Sequence, residues 1–332
     1  MQKCNEMLLY SGGRCRKDFR ALSETKQSYS PLTLTSYLAG PALIILSHLG
    51  SGLVILTGLS WGSSLWILLL YGVRMLATTG IYHRLLTHRS YQAPRWVLWG
   101  GCTLAAAAGQ MGPSWWKAHH LAHHQYADQP LDPHSPARPW PKRSGFAWSQ
   151  GLWLLSPCFF PAQLPADVEA DPVLRTLDRL HFVPLLALGV LSWYLGGLEY
   201  VGAFCLSTTL LFHGVQTVNS LSHLYGAQPF VTSDHSRNNW LVAGLTLGEG
   251  WHNCHHAFPA SSRHGITIRA GQVVYLPDPT FRFIQLLAAL SLASKVRVPA
   301  PQALLARAQP ALRVSQPPIA ANGGTIASDS SY

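Results

Sequence analysis

Apolar residues gather into five runs along the chain, at roughly 35–58, 61–79, 96–111, 181–197 and 199–218. A helix needs about 20 such residues to cross a hydrocarbon core of ~30 Å. The first two runs are joined through Leu59-Ser60 and the last two by a step at Leu198, so each pair reads as a tight hairpin. The run 96–111, "WVLWGGCTLAAAAGQM", is short and rich in Ala and Gly. If it spanned, the histidines on its two flanks would face opposite sides of the membrane and could never meet. It is therefore read as buried core on the inner side. The pattern predicts an all-α integral membrane protein, with four transmembrane helices in two hairpins and a helical domain on one face.

Composition supports lipid as the solvent. Of 332 residues, 48% are hydrophobic and 11% are charged, and that charged share is less than half of what a soluble globular protein carries. The mean hydropathy of only +0.13 leaves a large part of the chain outside the bilayer. Neither outer turn holds Lys or Arg, whereas the inner segments hold nearly all of them, so the positive-inside rule puts both termini and the middle of the chain in the cytoplasm. Arg74, late in the second run, is expected to snorkel toward the inner interface, and His48 to be a packed or hydrogen-bonded helix residue. One domain is expected over 34–298. The polar residues 1–33 form a basic tail without the apolar core of a signal peptide, and the Pro-, Ala- and Ser-rich residues 299–332 are expected to be disordered.

The formal charge of +10 comes without a Lys/Arg stripe interleaved with aromatics, so a membrane surface or an acidic partner explains it and nucleic acid does not. The six cysteines never form Cys-x-x-Cys, which argues against a zinc ribbon or a disulfide framework.

The chemistry lies in the histidines. His83 and His88 stand in "HRLLTH", His119, His120, His123 and His124 in "HHLAHH", His223 in "NSLSH", and His252, His255 and His256 in "HNCHH". Helical residues three or four apart share a face, so each H-x-x-H-H box aims imidazoles at one point, and Asn219 and His223 stand in the same i, i+4 relation. A lone histidine is an ordinary polar core residue. Repeated boxes just past the inner ends of apolar runs are a metal site, because clustered unliganded imidazoles would be desolvated with nothing gained. Nitrogen-rich sites suit iron, zinc, copper or nickel. Nine or ten ligands are too many for one ion, and two ions with about five each leave an open position for oxygen, which favours iron over four-coordinate zinc.

At "HRLLTHRSYQAPRW", "HHLAHHQYADQPLDPH", "NSLSHLYGAQPF" and "SRNNWLVAGLTLGEGWHNCHHAFPASSRHG" the chain resembles the membrane-bound fatty acid desaturases, in particular the acyl-CoA and acyl-lipid delta-9 enzymes of the bacterial and plant-type branch. The resemblance runs from roughly 40 to 298. It implies two iron ions, dioxygen as co-substrate, and the ligands His83, His88, His120, His123, His124, His223, His252, His255 and His256, with Asn219 acting through water. It places His119, Asp128, Asp132, His134 and Glu249 behind the ligands, and leaves His181, His213, His235 and His264 structural. Leu121 stands where the animal acyl-CoA enzymes carry Arg, which sets a lipid-borne acyl chain beside acyl-CoA as substrate; Arg175 and Arg179 are candidate phosphate contacts.

An unactivated alkyl C–H bond has no acidic proton, so oxygen-derived metal chemistry must break it. The protein's part is a long apolar tunnel that excludes water, with Trp115, Trp116 and Trp251 as lining candidates. With no flavin, dinucleotide or iron–sulfur fingerprint, two electrons come from a separate donor, ferredoxin or cytochrome b5. The same boxes would serve a membrane hydroxylase, and a histidine-rich metal transporter is the reading from another class.

Overall fold

The computed structural model describes residues 31–137 and 145–312; expectations on 1–30, 138–144 and 313–332 lie outside the described residues. The first apolar run forms α1 (Pro31–Ser51), continued by α2 (Leu53–Thr57). The chain turns at Gly58, whose φ of 71° suits glycine. Ser60 then opens α3 (Trp61–Leu76), its side chain accepting from the Ser63 backbone N–H as an N-cap. α3 passes without a break into an eleven-residue π-helix, Ala77–Thr87, buried along its whole length.

α4 (Arg95–Ala106) is the short Ala/Gly-rich run. Its Cys102 and Ala105 pack with Ile81, Tyr82 and Leu85 of the π-helix and with Ile284 and Leu287 further along the chain. α5 (Pro113–Tyr126) follows, then α6 (Gly145–Ser149), α7 (Ala166–Glu169) and α8 (Pro172–Arg179). Asp178 of α8 closes the start of α5, its Oδ1 accepting from the backbone N–H groups of Ser114 and Trp115 at 2.9 and 3.1 Å. Burial pushes this carboxyl up to about 6.

α9 (Phe182–Leu224) is counted as one helix of 43 residues, but Gly196 and Gly197 leave helical geometry inside it. Straight, it would be about 64 Å long. Instead a methyl group on Gly189 would stand 3.3 Å from the Phe204 ring, so the two arms are antiparallel and the break falls beside the expected step at Leu198. Among the described residues three helices are long and apolar enough to cross a membrane: Leu34–Thr57, Trp61–Thr87 and this bent one. They meet through small residues, with Gly50 against Cys205 and Ser51 Oγ 3.1 Å from Thr209 Oγ1.

Arg74 does not snorkel. Its guanidinium is buried between helices, donating to the Leu70 and Ala107 carbonyls and to Ser207 and Thr208, with the Phe204 ring beneath it. Four oxygens of the bundle replace the water that snorkelling would have reached.

The chain ends in α10 (Trp240–Leu245), α11 (His252–Ala257), α12 (Pro279–Ala289) and α13 (Pro301–Ala306). Between α11 and α12 lies an antiparallel pair, β1 (Ile266–Arg269) and β2 (Gln272–Tyr275), which the all-α expectation lacked. The expected disorder from 299 does not hold over the described residues 299–312: Pro301 starts a helix, and Leu304 is buried against Phe230 and Ile266. Burial of Leu304 and Ala308 anchors a segment whose composition reads as a tail.

Candidate metal centre

Four local structures bring the histidines together, and each does so differently. In an α-helix residues five apart are rotated by about 140° from one another, which would point His83 and His88 apart. In a π-helix the i→i+5 hydrogen bond puts them one turn apart. Here the His88 N–H donates to the His83 carbonyl at 3.1 Å, and the two rings lie 4.8 Å apart. α5 presents His120, His123 and His124 at ordinary α-helical spacing, α9 presents His223 in its last turn, and the single turn of α11 carries His252, His255 and His256.

These nine side chains sort into two groups. His83, His88, His120, His124 and His255 form one, and His123, His223, His252 and His256 the other; within each, one nitrogen per ring lies within 4.8 Å of all the others. In the first group the Nε2 atoms of His88 and His120 are 2.7 Å apart, those of His124 and His255 2.8 Å, and those of His83 and His255 3.1 Å. In the second, His252 and His223 are 3.1 Å apart and His123 and His256 3.3 Å. Adjacent nitrogens on one ion, at the 2.0–2.1 Å typical of imidazole ligands, stand about 3.0 Å apart.

The pairing of His123 with His256 tests the fit. His123 Nδ1 donates to Asp132 and His256 Nδ1 to Asp234, each at 2.9 Å. When both rings are neutral, each has its one N–H on Nδ1, and the two Nε2 atoms present bare lone pairs to each other. A cation between them turns that repulsion into coordination, and the donor set fits a nitrogen-binding metal.

Carboxylates contact two other rings, those of His83 and His223. His83 Nδ1 lies 2.6 Å from Glu249 Oε2, and His223 Nδ1 donates to Asp128 at 2.8 Å. Asp128, Asp132 and Glu249 therefore each contact a ring of one of the two groups. Against the upward push of burial, the bond from His223 holds Asp128 down at about 2, and His123 and His256 hold Asp132 and Asp234 well below the carboxylate range. Burial, reinforced by neighbouring imidazoles, pushes His88, His120, His124, His252 and His255 far below their usual value, so these rings are neutral, the form a metal binds.

Other sequence-based expectations fall differently. His119 does not orient a neighbouring imidazole: its nitrogens face the carbonyls of Trp115 and Cys158 at 2.9 and 3.0 Å, and burial lowers it to about 4. His134 places its ring 4.6 Å from that of His123 and its backbone N–H on Asp132. Two residues were not anticipated. Asp234 lies in a loop with no spacing signal, and the buried His264 ring stands 4.5 Å from that of His255, with Nδ1 3.3 Å from Glu249.

The group of five adjoins an apolar cavity, which His120 lines. His120 and Asn219 lie in its lining, and Met111, Trp115, Trp116, Trp153, Phe159 and Phe212 supply much of its apolar wall. Trp251, expected in the lining, instead turns its indole N–H to the Pro277 carbonyl at 2.7 Å. The Asn219 amide donates to Gln216, another lining residue.

The sequence pattern of the family described as fatty acid desaturase matches residues 60–266, more than half of the chain. The chain belongs to the fatty acid desaturase family. The desaturase is 37% identical to an sn-1 stearoyl-lipid 9-desaturase of Anabaena variabilis over 245 residues, covering 72% of this chain and 85% of that one. It is 38% identical to an acyl-CoA 5-desaturase of Anemone leveillei, covering 72% and 73%, and 37% identical to an sn-2 palmitoyl-lipid 9-desaturase of Nostoc sp. (strain 36), covering 67% and 76%. It is accordingly an oxygen-dependent oxidoreductase of fatty acid metabolism, with apolar helices suited to a membrane and histidine clusters suited to metal.

Proposed function

We propose that this desaturase introduces a cis double bond at carbon 9 of a saturated long acyl chain, using two irons held by the two histidine groups. The observation that carries the reading is the juxtaposition of the group of five with an apolar cavity, whose lining includes His120 and Asn219. His83, His88, His120, His124 and His255 hold one iron, and His123, His223, His252 and His256 the other, with Asn219 completing the second through water. Bound there, iron supplies with dioxygen the oxidising power that no side-chain acid or base has for an alkyl C–H bond. The chain's own residues align two neighbouring methylenes and keep water out, the aromatic wall doing both. Two hydrogens leave the substrate, and two electrons and two protons complete the reduction of dioxygen to two waters.

A lipid-borne acyl chain is the favoured substrate and acyl-CoA the alternative. Leu121 is exposed and uncharged, and two of the relatives named above are lipid desaturases. The two arms of α9 cross the membrane separately, making four spans, with both termini and the metal centre in the cytoplasm. Ferredoxin or cytochrome b5 docks on the basic inner face to deliver the electrons.

The deciding experiment expresses the chain in a host lacking its own desaturase and profiles fatty acids by mass spectrometry. A monounsaturated product with the bond at carbon 9 is expected. Hydroxylated chains would make it a hydroxylase, and a bond at another carbon would overturn the regiochemistry alone.

A further inference from the structure

The two histidine groups differ in the charge that stands behind them. In the group of four, three rings donate from Nδ1 to a carboxylate: His223 to Asp128, His123 to Asp132 and His256 to Asp234, at 2.8, 2.9 and 2.9 Å. Among the described residues no Lys or Arg pairs with any of the three. Each is held in place from elsewhere. Asp128 also accepts from Ser135 and the His235 backbone N–H, Asp132 from the backbone N–H groups of Asp128 and His134, and Asp234 from that of Ser236.

In the group of five, Glu249 alone stands behind a ring, that of His83. Its other oxygen takes Arg84 Nη2 at 3.0 Å and Nε at 3.2 Å, and Arg84 also pairs with Asp278 at 3.0 Å. This carboxylate is thus largely neutralised. Among the described residues no carboxylate stands behind His88, His120, His124 or His255, and His255 Nδ1 is buried without a hydrogen-bond partner.

A carboxylate on Nδ1 makes the imidazole a stronger donor, and its charge acts on the ion directly. Both effects favour the more highly charged ion, and in a buried site they are weakly screened. We propose that Asp128, Asp132 and Asp234 are positioning residues that make the two irons unequal: the four-histidine position holds ferric iron preferentially and the five-histidine position ferrous iron. This rests on the two-iron reading above. It assigns Asp234 the same duty as the other two aspartates, and it makes the five-histidine iron the one that the first electron reaches.

The test loads the purified desaturase anaerobically with iron enriched in the Mössbauer isotope, poises it half-oxidised with mediators, and records its spectrum. One ferric and one ferrous iron are expected. Asp234→Asn and Asp128→Asn should each shift the ferric-to-ferrous ratio of the earlier-oxidising iron toward ferrous by roughly tenfold or more, and leave the other iron largely unmoved. Asp128 has a φ of 60°, which Asn tolerates, so that variant keeps its backbone. Two irons that oxidise together, or aspartate variants that act equally on both or on the later-oxidising one, would overturn the proposal. Binding of fewer than two irons would instead sink the two-iron reading beneath it.

Discussion

The five-histidine and four-histidine groups draw on the same two helices, α5 and α11, yet are supported in opposite ways. Behind the group of five lies a closed ion network, in which Arg84 is fully buried and shared between Glu249 and Asp278, and Asp278 also accepts from the His264, Gly265 and Phe281 backbone N–H groups. Behind the group of four lie three aspartates on loops, each hydrogen-bonded to one ring of the group. The contrast shows that one motif type, H-x-x-H-H, serves two environments. Near the first group a charge change is expected to act on folding, and near the second, on the proposal above, on the bound iron.

The largest effect should come from the ligands. His255→Ala should empty the five-histidine position and His252→Ala the four-histidine position, and each should lower product formation by more than the roughly 100-fold typical of outer-sphere losses. Iron analysis beside fatty acid profiling reads both. His213→Ala, at a ring paired with His48, should keep iron and activity; equal loss there would mean that folding explains the result.

Arg84→Met comes next. It strands two buried carboxylates and should cost about 3–5 kcal/mol of stability, whereas Asp234→Asn, which breaks no ion pair to Lys or Arg among the described residues, should scarcely change the unfolding temperature. Similar unfolding temperatures for the two variants would erase the contrast between network and loop.

Asn219 sharpens the comparison from the cavity side. Asn219→Ala should retain most of the iron and lose much of the turnover, because an amide acting through water binds weakly yet borders the substrate space. Asn219→His should bind iron well and run slowly, with the open position filled. Full activity in both would remove the residue from the site. The smallest effect is expected at His119→Gln, where losing a hydrogen bond to a carbonyl should cost about 1 kcal/mol and leave the iron content unchanged. A fall in iron would restore His119 to the metal's surroundings.

Much of this was legible because its signals are local. Apolar runs report spans directly, and i, i+3, i+4 spacing reports the face of α5. Asp128 and Asp132 follow α5 closely enough in sequence to be suspected. Asp234 was not legible, since it reaches His256 across 22 residues from a loop with no pattern. Arg74 was misjudged because snorkelling is judged from depth in a run, while the oxygens that hold this guanidinium come from Ala107, Ser207 and Thr208. Leu304 was missed because disorder was inferred from composition, and two buried side chains, Leu304 and Ala308, hardly alter composition.

The sequence by itself determined that imidazoles would be concentrated beside apolar helices, and residue type and short spacing are enough for that. Only the tertiary structure decided how nine rings divide into five and four, because the division cuts through the boxes and sends His123 and His124, adjacent in α5, to different groups. It also decided the π-helical winding that turns His83 and His88 to one side, since a wider helix is chosen by the packing around Ala77–Thr87 rather than by the spacing of five alone.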